Sequence, residues 1–352
     1  MKILVDAPLN SLSLGNVSYN IIRELIDKGH DVGIFPVSGK VDLNAYDVPD
    51  HLVQKINEGI QNRFDYLSED IPSLRIWNLN GSEDRKNSKQ YLYTFYECNQ
   101  PTDIERKLSN AQTQTIFSSR YAGDQFGCPY APLGFDKDFF NTKKQYLQNV
   151  VHFGLMGKFE KRKHTAEILR AWAKKYGNNN KYQLTCCITN PFFKEEEMGH
   201  MINSCLEGQR YTNINFLPYL SKNNEVNDLL NAIDIDLTGL SGGEGWNLPS
   251  FNATCLGKWS VVLNATSHKD WATKENSILV DPTGEVDSED KKFFIKGSSF
   301  NQGTFYSITE DQIISAMEQA EKKVGQINTE GQKLADNFTY SKTVDSILSH
   351  IS

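Results

Sequence analysis

The sequence predicts an α/β protein of two consecutive doubly wound halves, each a parallel sheet covered by helices. Strand and helix patterns alternate along most of its 352 residues, and this alternation stops once and then restarts. The interruption is a segment with two prolines and a glycine (128–136), followed by a polar stretch. Since a domain holds roughly 150 residues, we expect one domain at 1–148 and a second at 149–334.

The N-terminal half opens with a strand, a helix and a second strand. Residues 1–9 are a short apolar run ended by turn formers. A loop containing Gly15 leads into apolar residues at helical spacing (17–26), and an apolar strand follows at 31–35. Such a βαβ unit implies a parallel sheet. Further strands are predicted at 73–79, 91–96 and 113–119, and helices near 51–62, 101–109 and 119–126.

The C-terminal half repeats the alternation from residue 150 onwards. Apolar runs predict its strands, and amphipathic segments between them predict its helices. The strands are expected at 150–157, 182–189, 214–220, 234–240 and 259–264, and the helices at 163–177, 195–208, 223–233 and 249–258. Residues 283–305 are charged and more irregular, and we interpret them as an insertion or mobile loop.

Charge and composition restrict the class of protein. The formal net charge of −7 excludes a uniformly basic surface, although it allows a local patch of cations. No apolar run reaches the roughly 20 residues of a bilayer span, and Asp6 interrupts the first apolar run too early for a signal peptide. The six cysteines include no CxxC pair, as expected for reduced thiols. The sequence therefore predicts a cytoplasmic protein.

A cluster of cations follows the first strand of the C-terminal half. Gly157 ends that strand, and five ionisable residues come directly after it: Lys158, Lys161, Arg162, Lys163 and His164. In an open parallel sheet, ligands bind at the carboxyl ends of the strands. Cations and backbone N–H groups at that edge suit a diphosphate, and a solvated basic turn is the alternative.

A second cluster lies near the end of the C-terminal half, in the segment SGGEGWNLPS (241–250). A strand runs into a loop of small residues, and Pro249 stands in the first turn of a helix, where its missing N–H is tolerated. Glycines allow the backbone to approach a ligand, and a helix N-terminus favours an anion. A carboxylate beside that anion suits hydroxyl donors, so we expect Glu244 to bind a sugar.

The two clusters resemble motifs of one protein family. SGGEGWNLPSFNA followed by CLGKWSVV is similar to the donor-site signature of retaining GT-B glycosyltransferases of the large glucosyl/mannosyltransferase family. GKFEKRKHT resembles the diphosphate motif of that family, and FTYSKTVDSILSHI resembles its last helix. The resemblance implies the GT-B fold, with two tandem doubly wound (Rossmann-like) domains, an interdomain cleft and a final helix (335–352) packed on the N-terminal domain.

The resemblance also implies roles for individual residues. Glu244 would contact hydroxyls of the transferred sugar, while Lys158 and Lys163, helped by Arg162, would neutralise the leaving diphosphate. These cations would act because negative charge develops on the departing group in the transition state. Glu244, Lys158 and Lys163 form the expected catalytic set. The expected donor-binding set is Gly15, Arg162, Gly243, Gly245, Trp246, Asn247, Leu248 and Asn252.

Three positions depart from the family pattern. Asn252 stands where the family has a second glutamate that holds the ribose, so this motif does not define the nucleotide. The family often has a sugar-facing histidine after the strand that ends near residue 96. Glu97 is the candidate for that role here, with an ordinary surface carboxylate as the alternative. His164 replaces a glycine, and the sequence gives no reason for it.

Asp234 and Asp236 permit another interpretation, because an Asp-x-Asp pattern holds Mg²⁺ or Mn²⁺ in GT-A transferases. The same residues also fit a core strand that leads to the loop of Glu244. Since the basic cluster already supplies countercharge, we expect no metal requirement and no cofactor. The nucleoside diphosphate sugar would be a co-substrate.

The sequence thus predicts a retaining glycosyltransferase, a hexosyl- or pentosyltransferase, that uses a nucleoside diphosphate sugar, with a UDP-sugar favoured. The acceptor hydroxyl would belong to a glycan or glycolipid, or to a hydroxymethylated pyrimidine of phage DNA. For DNA, the basic loop 81–90 is a candidate contact. Two alternatives stay open: a non-catalytic nucleotide-sugar-binding protein, which Asn252 favours, and a sugar epimerase of the same fold.

Overall fold

Two open sheets of parallel strands organise the protein, whose computed structural model describes residues 1–142, 144 and 146–351. The N-terminal sheet has the strand order β2-β1-β3-β4-β5. Its strands are β1 (Lys2–Leu9), β2 (Asp31–Val41), β3 (Ser73–Ile76), β4 (Gln90–Thr94) and β5 (Gln114–Phe117). The helices that accompany them are α1 (Ser13–Asp27), α2 (Asp50–Gln61), α3 (Asp103–Asn110) and α4 (Arg120–Phe126).

The first βαβ unit forms as the sequence predicts. Helix α1 buries Val17, Ile21 and Leu25, the residues that recur at helical spacing. Gly29 follows the helix with a φ of 77°, a left-handed conformation that glycine adopts without a Cβ clash. Strand β1 then pairs in parallel with β2 along most of its length. The carboxyl ends of these strands therefore share one edge of the sheet.

The C-terminal sheet has the strand order β11-β10-β9-β6-β7-β8. Its strands are β6 (Val151–Met156), β7 (Tyr182–Cys187), β8 (Ile214–Phe216), β9 (Ile235–Asp236), β10 (Trp259–Leu263) and β11 (Ser277–Val280). Its helices are α5 (Thr165–Tyr176), α6 (Glu195–Cys205), α7 (Asn223–Ala232), α8 (Leu248–Cys255) and α9 (Glu310–Glu321). Strand β9 is shorter than the predicted 234–240, because the Asp236 carboxylate accepts a hydrogen bond from Thr238 N (3.0 Å) and starts a 3-10 turn there.

Residues 283–305, expected to be irregular, form an antiparallel hairpin at their two ends. Strand β12 (Gly284–Asp287) pairs with β13 (Thr304–Ser307). Phe294 and Phe305 of this hairpin are buried in an apolar cluster with side chains of β4 and β5. The expectation of an irregular segment is therefore wrong at both ends, because aromatic residues of the segment enter the core of the N-terminal half.

The chain ends in two helices, α10 (Thr329–Asn337) and α11 (Tyr340–Leu348). Helix α11 packs on α1, and Thr343 Oγ1 donates a hydrogen bond to Pro132 O (2.6 Å). The apolar cluster around β1 contains side chains of α11 together with Trp246 and Phe251 of the C-terminal half. The two halves thus share part of their core, and the domain boundaries at 148 and 334 stay predictions.

The structure can be compared with two expectations from composition, on membrane-spanning segments and on cysteines. Within the part of the chain that the structure describes, no helix combines the length and apolar character needed to cross a bilayer. The six cysteines all belong to that part and are free thiols.

Candidate active site

The two sequence motifs meet at the carboxyl edge of the C-terminal sheet. The cations follow β6 and the loop 241–247 follows β9, and these two strands are neighbours. The loops are joined by the backbone, since Gly242 N donates to Arg162 O (2.7 Å). Ser241 Oγ donates to the same oxygen (3.1 Å). The fold therefore brings together the residues that the sequence assigned to one donor site.

Glu244 is the centre of this site and is only 5% exposed. Lys163 Nζ donates to Glu244 Oε1 at 2.5 Å, and Arg162 Nη1 lies 3.1 Å from the same oxygen. Burial by itself would raise the pKa of Glu244, but the charges of Lys163 and Arg162 outweigh it and lower the pKa to about 2. Glu244 is therefore ionised throughout the neutral range.

Arg162 is buried among carboxylates from both halves. Its Nη2 lies 3.0 Å from Glu97 Oε1, its Nε lies 2.8 Å from Glu160 Oε2, and its Nη1 donates to Gly243 O at 2.6 Å. Glu97 follows β4, and Arg162 is bonded to the loop 241–247, called the donor loop below. This ion pair therefore joins the N-terminal half to the donor loop. Burial raises the pKa of Glu97, and Arg162 only partly opposes that effect.

The remaining cations have different partners. Lys158 is partly exposed, with Nζ 5.3 Å from the centre of the Phe192 ring and 5.6 Å from that of Phe293. Its Nζ is also 3.4 Å from Glu160 Oε1. Lys161 instead donates to backbone oxygens of the hairpin, at 2.6 and 2.8 Å. The structure thus places Lys158 and Lys163 around the site, while Lys161 is directed away from it.

The glycines of the donor loop contact protein. A Cβ atom at Gly242 would clash with Tyr306 O of the hairpin. At Gly243 it would lie 2.5 Å from Glu97 O, and at Gly245 it would lie 2.9 Å from Phe95 Cβ. The close approach of the N-terminal half and of the hairpin therefore explains these glycines, and their expected contact with a donor stays a prediction.

The residues that begin α8 leave polar atoms without partners. Asn247 has a φ of 69°, and its Nδ2 donates to Thr238 O (3.0 Å). Asn247 Oδ1 and Asn252 Oδ1 are buried and have no hydrogen-bond partner among the described residues. Such acceptors suit the hydroxyl donors of a sugar or a ribose. Leu248, the first residue of the helix, is only partly buried.

Trp246 and Gly15, both expected to bind the donor, make close contacts within the protein itself. The Trp246 ring is buried between Phe251 and Phe338, with ring centres 5.4 and 5.6 Å away, so a donor contact would be left to its backbone. Gly15 lies in the first turn of α1, at the carboxyl edge of the N-terminal sheet. A Cβ atom there would clash with Asn10 O of the preceding loop, so the close approach of that loop accounts for this glycine.

Two histidines complete the site, and the sequence did not identify their roles. His268 is fully buried, and its Nε2 lies 3.0 Å from Asn247 Nδ2. Burial lowers the pKa of His268 to about 4, so its ring is neutral. His164 has a φ of 51°, which explains why glycine is suited to this position, and its Nδ1 bonds Leu240 O (2.6 Å). The sequence signal that could have identified them is their position after predicted strands, since His268 follows β10 and His164 follows β6.

Asp234 and Asp236 have structural partners. Asp234 Oδ2 accepts a hydrogen bond from His152 N (2.9 Å), and Asp236 is fully buried in β9. Within residues 1–142, 144 and 146–351, the His, Cys, Asp and Glu side chains form no group of three or more that could hold a metal ion. The geometry therefore supports the core-strand interpretation of this pair.

No protein-family model matches the sequence, and no curated protein matches it. Solved structures do match, and they define the class of fold. The arrangement of two parallel sheets is the GT-B fold of glycosyltransferases, over the full length of the chain. The predicted fold class is confirmed.

Three structures illustrate the similarity. The HepE protein of Anabaena in complex with UDP is 14% identical, with a TM-score of 0.63 and 99% of each chain covered. Sucrose-phosphate synthase from Thermosynechococcus elongatus is 10% identical, with a TM-score of 0.64, 100% of this chain and 95% of that chain covered. A glycosyltransferase from Rickettsia africae is 10% identical, with a TM-score of 0.60 and coverages of 100% and 94%. HepE is also known in complex with UDP-glucose.

Proposed function

We propose that the protein is a retaining glycosyltransferase that moves a sugar from a nucleoside diphosphate sugar to an acceptor hydroxyl. The observation that carries this proposal is the Glu244–Lys163 pair (2.5 Å) in the connections that precede α8 and α5, at the carboxyl edge of the C-terminal sheet in a GT-B fold. A carboxylate for sugar hydroxyls thus lies beside a cation for the diphosphate. A UDP-sugar is the favoured donor, because the similar HepE protein binds UDP and UDP-glucose.

Without a donor, the charges of the site neutralise one another. Three carboxylates, Glu97, Glu160 and Glu244, face Lys158, Arg162 and Lys163 within ion-pair distance. In our proposal, Lys163 turns from Glu244 to the diphosphate when the donor enters, and sugar hydroxyls then donate to Glu244. Lys158 and Lys163 stabilise the charge that develops on the leaving group. No step of this proposal requires a metal ion or a cofactor.

For the acceptor, we favour a hydroxyl of a glycan or glycolipid over one in phage DNA. The basic loop 81–90 leads to the amino edge of the sheet, because Lys89 O accepts from Ser73 N at the start of β3. Arg85 bonds Ala111 O, which also lies before a strand. The opposite, carboxyl edge of the same sheet carries Asp42 and Glu97, which follow β2 and β4. Carboxylates at that edge disfavour a polyanionic acceptor.

A binding screen followed by a product assay tests the proposal. A ligand that binds only the folded state raises the apparent melting temperature, so UDP, GDP, UDP-glucose and GDP-mannose are compared first. We expect UDP compounds to give the larger shift. The assay then measures release of free UDP with and without glycan acceptors. Lys163→Met should weaken both responses, whereas Lys174→Met, at an exposed position of α5, serves as the matched control.

The other candidates give different outcomes. Donor binding with no release of UDP across the panel would favour a nucleotide-sugar-binding protein. Conversion of the donor into a sugar isomer without an acceptor would favour an epimerase. Retention on DNA at low salt that disappears at high salt would favour the DNA acceptor. An anomer assignment of the product by NMR tests retention.

A further inference from the structure

Arg162 holds the donor loop in place through its backbone and through its side chain. Its carbonyl oxygen accepts from Gly242 N (2.7 Å) and Ser241 Oγ (3.1 Å). Its guanidinium donates to Gly243 O (2.6 Å) and contacts the Glu244 carboxylate (3.1 Å). One residue of the β6–α5 connection therefore contacts four consecutive residues of the loop after β9.

The same guanidinium reaches the N-terminal half. Nη2 is 3.0 Å from Glu97 Oε1, and Nε is 2.8 Å from Glu160 Oε2. Each of its three nitrogens thus has a carboxylate or carbonyl oxygen within 3.1 Å, and the side chain is 7% exposed. The contact of Nε is an ion pair only, because this atom has no hydrogen-bond partner among the described residues. A buried guanidinium that already faces three carboxylates nevertheless has little capacity left for a phosphate. Lys158, whose side chain is 36% exposed, has that capacity.

We propose that Arg162 is a positioning residue for the transfer reaction: it fixes Glu244 and the donor loop against Glu97 of the N-terminal half and does not bind the diphosphate. The proposal rests on the proposed function, and it removes Arg162 from the expected donor-binding set. It assigns Glu97 to the same role, since Glu97 supplies the contact from the opposite half. Positioning by a charged group is effective here because the Arg162 and Glu244 side chains are only 7% and 6% exposed, although Glu97 is 35% exposed.

The chemistry of lysine makes the proposal testable. Arg162→Lys keeps the positive charge but replaces a planar fork by a single ammonium, whose donors share one atom and cannot reproduce the spacing of the guanidinium contacts. If the role of Arg162 is to position, this variant loosens the donor loop and lowers kcat while the affinity for UDP stays nearly the same. Loss of a phosphate ligand has the opposite signature, because it weakens the binding of UDP itself.

The experiment compares Arg162→Lys, Glu97→Gln and Lys158→Met with the full-length wild-type chain. We expect Arg162→Lys and Glu97→Gln to speed amide hydrogen exchange of peptides covering 241–247 and to lower kcat, each by about tenfold. Their Kd for UDP should stay within about twofold of the wild type. Lys158→Met should raise the Kd for UDP by about tenfold and leave the exchange of the loop unchanged.

Two results would overturn the inference. One is a Kd for UDP that rises in Arg162→Lys as much as in Lys158→Met, and the other is unchanged loop exchange in both Arg162→Lys and Glu97→Gln. If Arg162→Lys does not fold, Glu97→Gln decides, because it leaves the arginine in place. Failure of the wild type to bind UDP or any nucleotide sugar counts against the proposed function instead, and the exchange measurement still decides whether Arg162 positions the loop.

Discussion

Two buried carboxylates lie between the halves of this protein and have opposite ionisation behaviour. Glu244 contacts Lys163 and Arg162, and its pKa is lowered to about 2. Asp136, in the connection between the sheets, is equally buried, but burial and the neighbouring Asp138 raise its pKa to about 6. The difference comes from the partners, because burial alone raises the pKa of both groups.

Asp136 joins the two halves through amide donors. Its Oδ2 accepts from Asn20 Nδ2 of α1 (2.9 Å) and from Asn223 Nδ2 of α7 (3.3 Å), so amides from both halves meet on one carboxylate. The nearby Arg23 pairs with Asp138 (3.5 Å) and only partly opposes the rise in the pKa of Asp136. A contact between the halves therefore does not require a direct ion pair. The charges concentrated around Glu244 need a separate cause, and binding of a charged donor is the cause that we propose.

The largest effect is expected when Glu244 loses its charge. Glu244→Gln keeps the shape but leaves Lys163 without a buried countercharge and removes one of the three carboxylates that face Arg162, so the free energy of unfolding should fall by about 3 kcal/mol. Transfer should slow by about a hundredfold or more, because the group that binds the sugar is weakened. Urea unfolding and initial rates measure the two effects. Unchanged values of both would remove Glu244 from the centre of the site.

A smaller effect is expected from Lys163→Met. Arg162 still faces Glu244 in this variant, so we expect a loss of about 2 kcal/mol in the free energy of unfolding. The Kd for UDP should rise by about tenfold or more, since a cation for the diphosphate is removed. Calorimetric titration with UDP checks this, with Lys174→Met as the surface control. Equal affinities in the two variants would contradict the role of Lys163.

The two carboxylates should change the stability in opposite directions as the pH rises. Glu244 has a folded pKa of about 2 against an ordinary value of 4.5, so its contribution is present above pH 4.5 and is lost as the pH falls towards 2. That contribution is roughly 3 kcal/mol. Asp136 has a raised pKa, from 3.8 to about 6, so stability falls as the pH rises through that window.

Urea unfolding between pH 2 and pH 8 measures both slopes. Glu244→Gln should remove the part of the curve that rises with pH below 4.5 and leave the fall between pH 4 and pH 6. A wild-type curve that shows no fall in that second interval would mean that Asp136 ionises as an ordinary carboxyl group. Glu244 and Asp136 would then no longer differ in the sign of their contribution to stability.

The sequence predicted what depends on local pattern. The periodicity of residues 17–26 indicated α1, and the segment around Glu244 and Pro249 indicated the loop and the start of α8. Two contacts between distant segments, of the basic cluster with the loop 241–247 and of the last helix with the N-terminal half, were expected from the family resemblance and not from local pattern. Other contacts between residues far apart in the chain were not predicted. The Arg162–Glu97 pair spans the two halves, and no local pattern links residues that distant. The hairpin was missed for the same reason, since Phe305 is buried among strands of the other half.

The Asp136→Asn variant is the matched counterpart of Glu244→Gln and should have the smallest cost in stability. The carboxamide still accepts from Asn20 and Asn223, but it places an amide beside Asp138 N, which in the wild type donates to Asp136 Oδ1 (2.9 Å). Loss of that bond costs about 1 kcal/mol, whereas removal of the buried charge relieves the roughly 3 kcal/mol that the raised pKa represents. At pH 7.5 the free energy of unfolding should therefore rise by about 2 kcal/mol, and the fall between pH 4 and pH 6 should disappear. A large loss of stability at pH 7.5 would mean that the ionised Asp136, like Glu244, is held by charge, and partner charge would no longer distinguish the two sites.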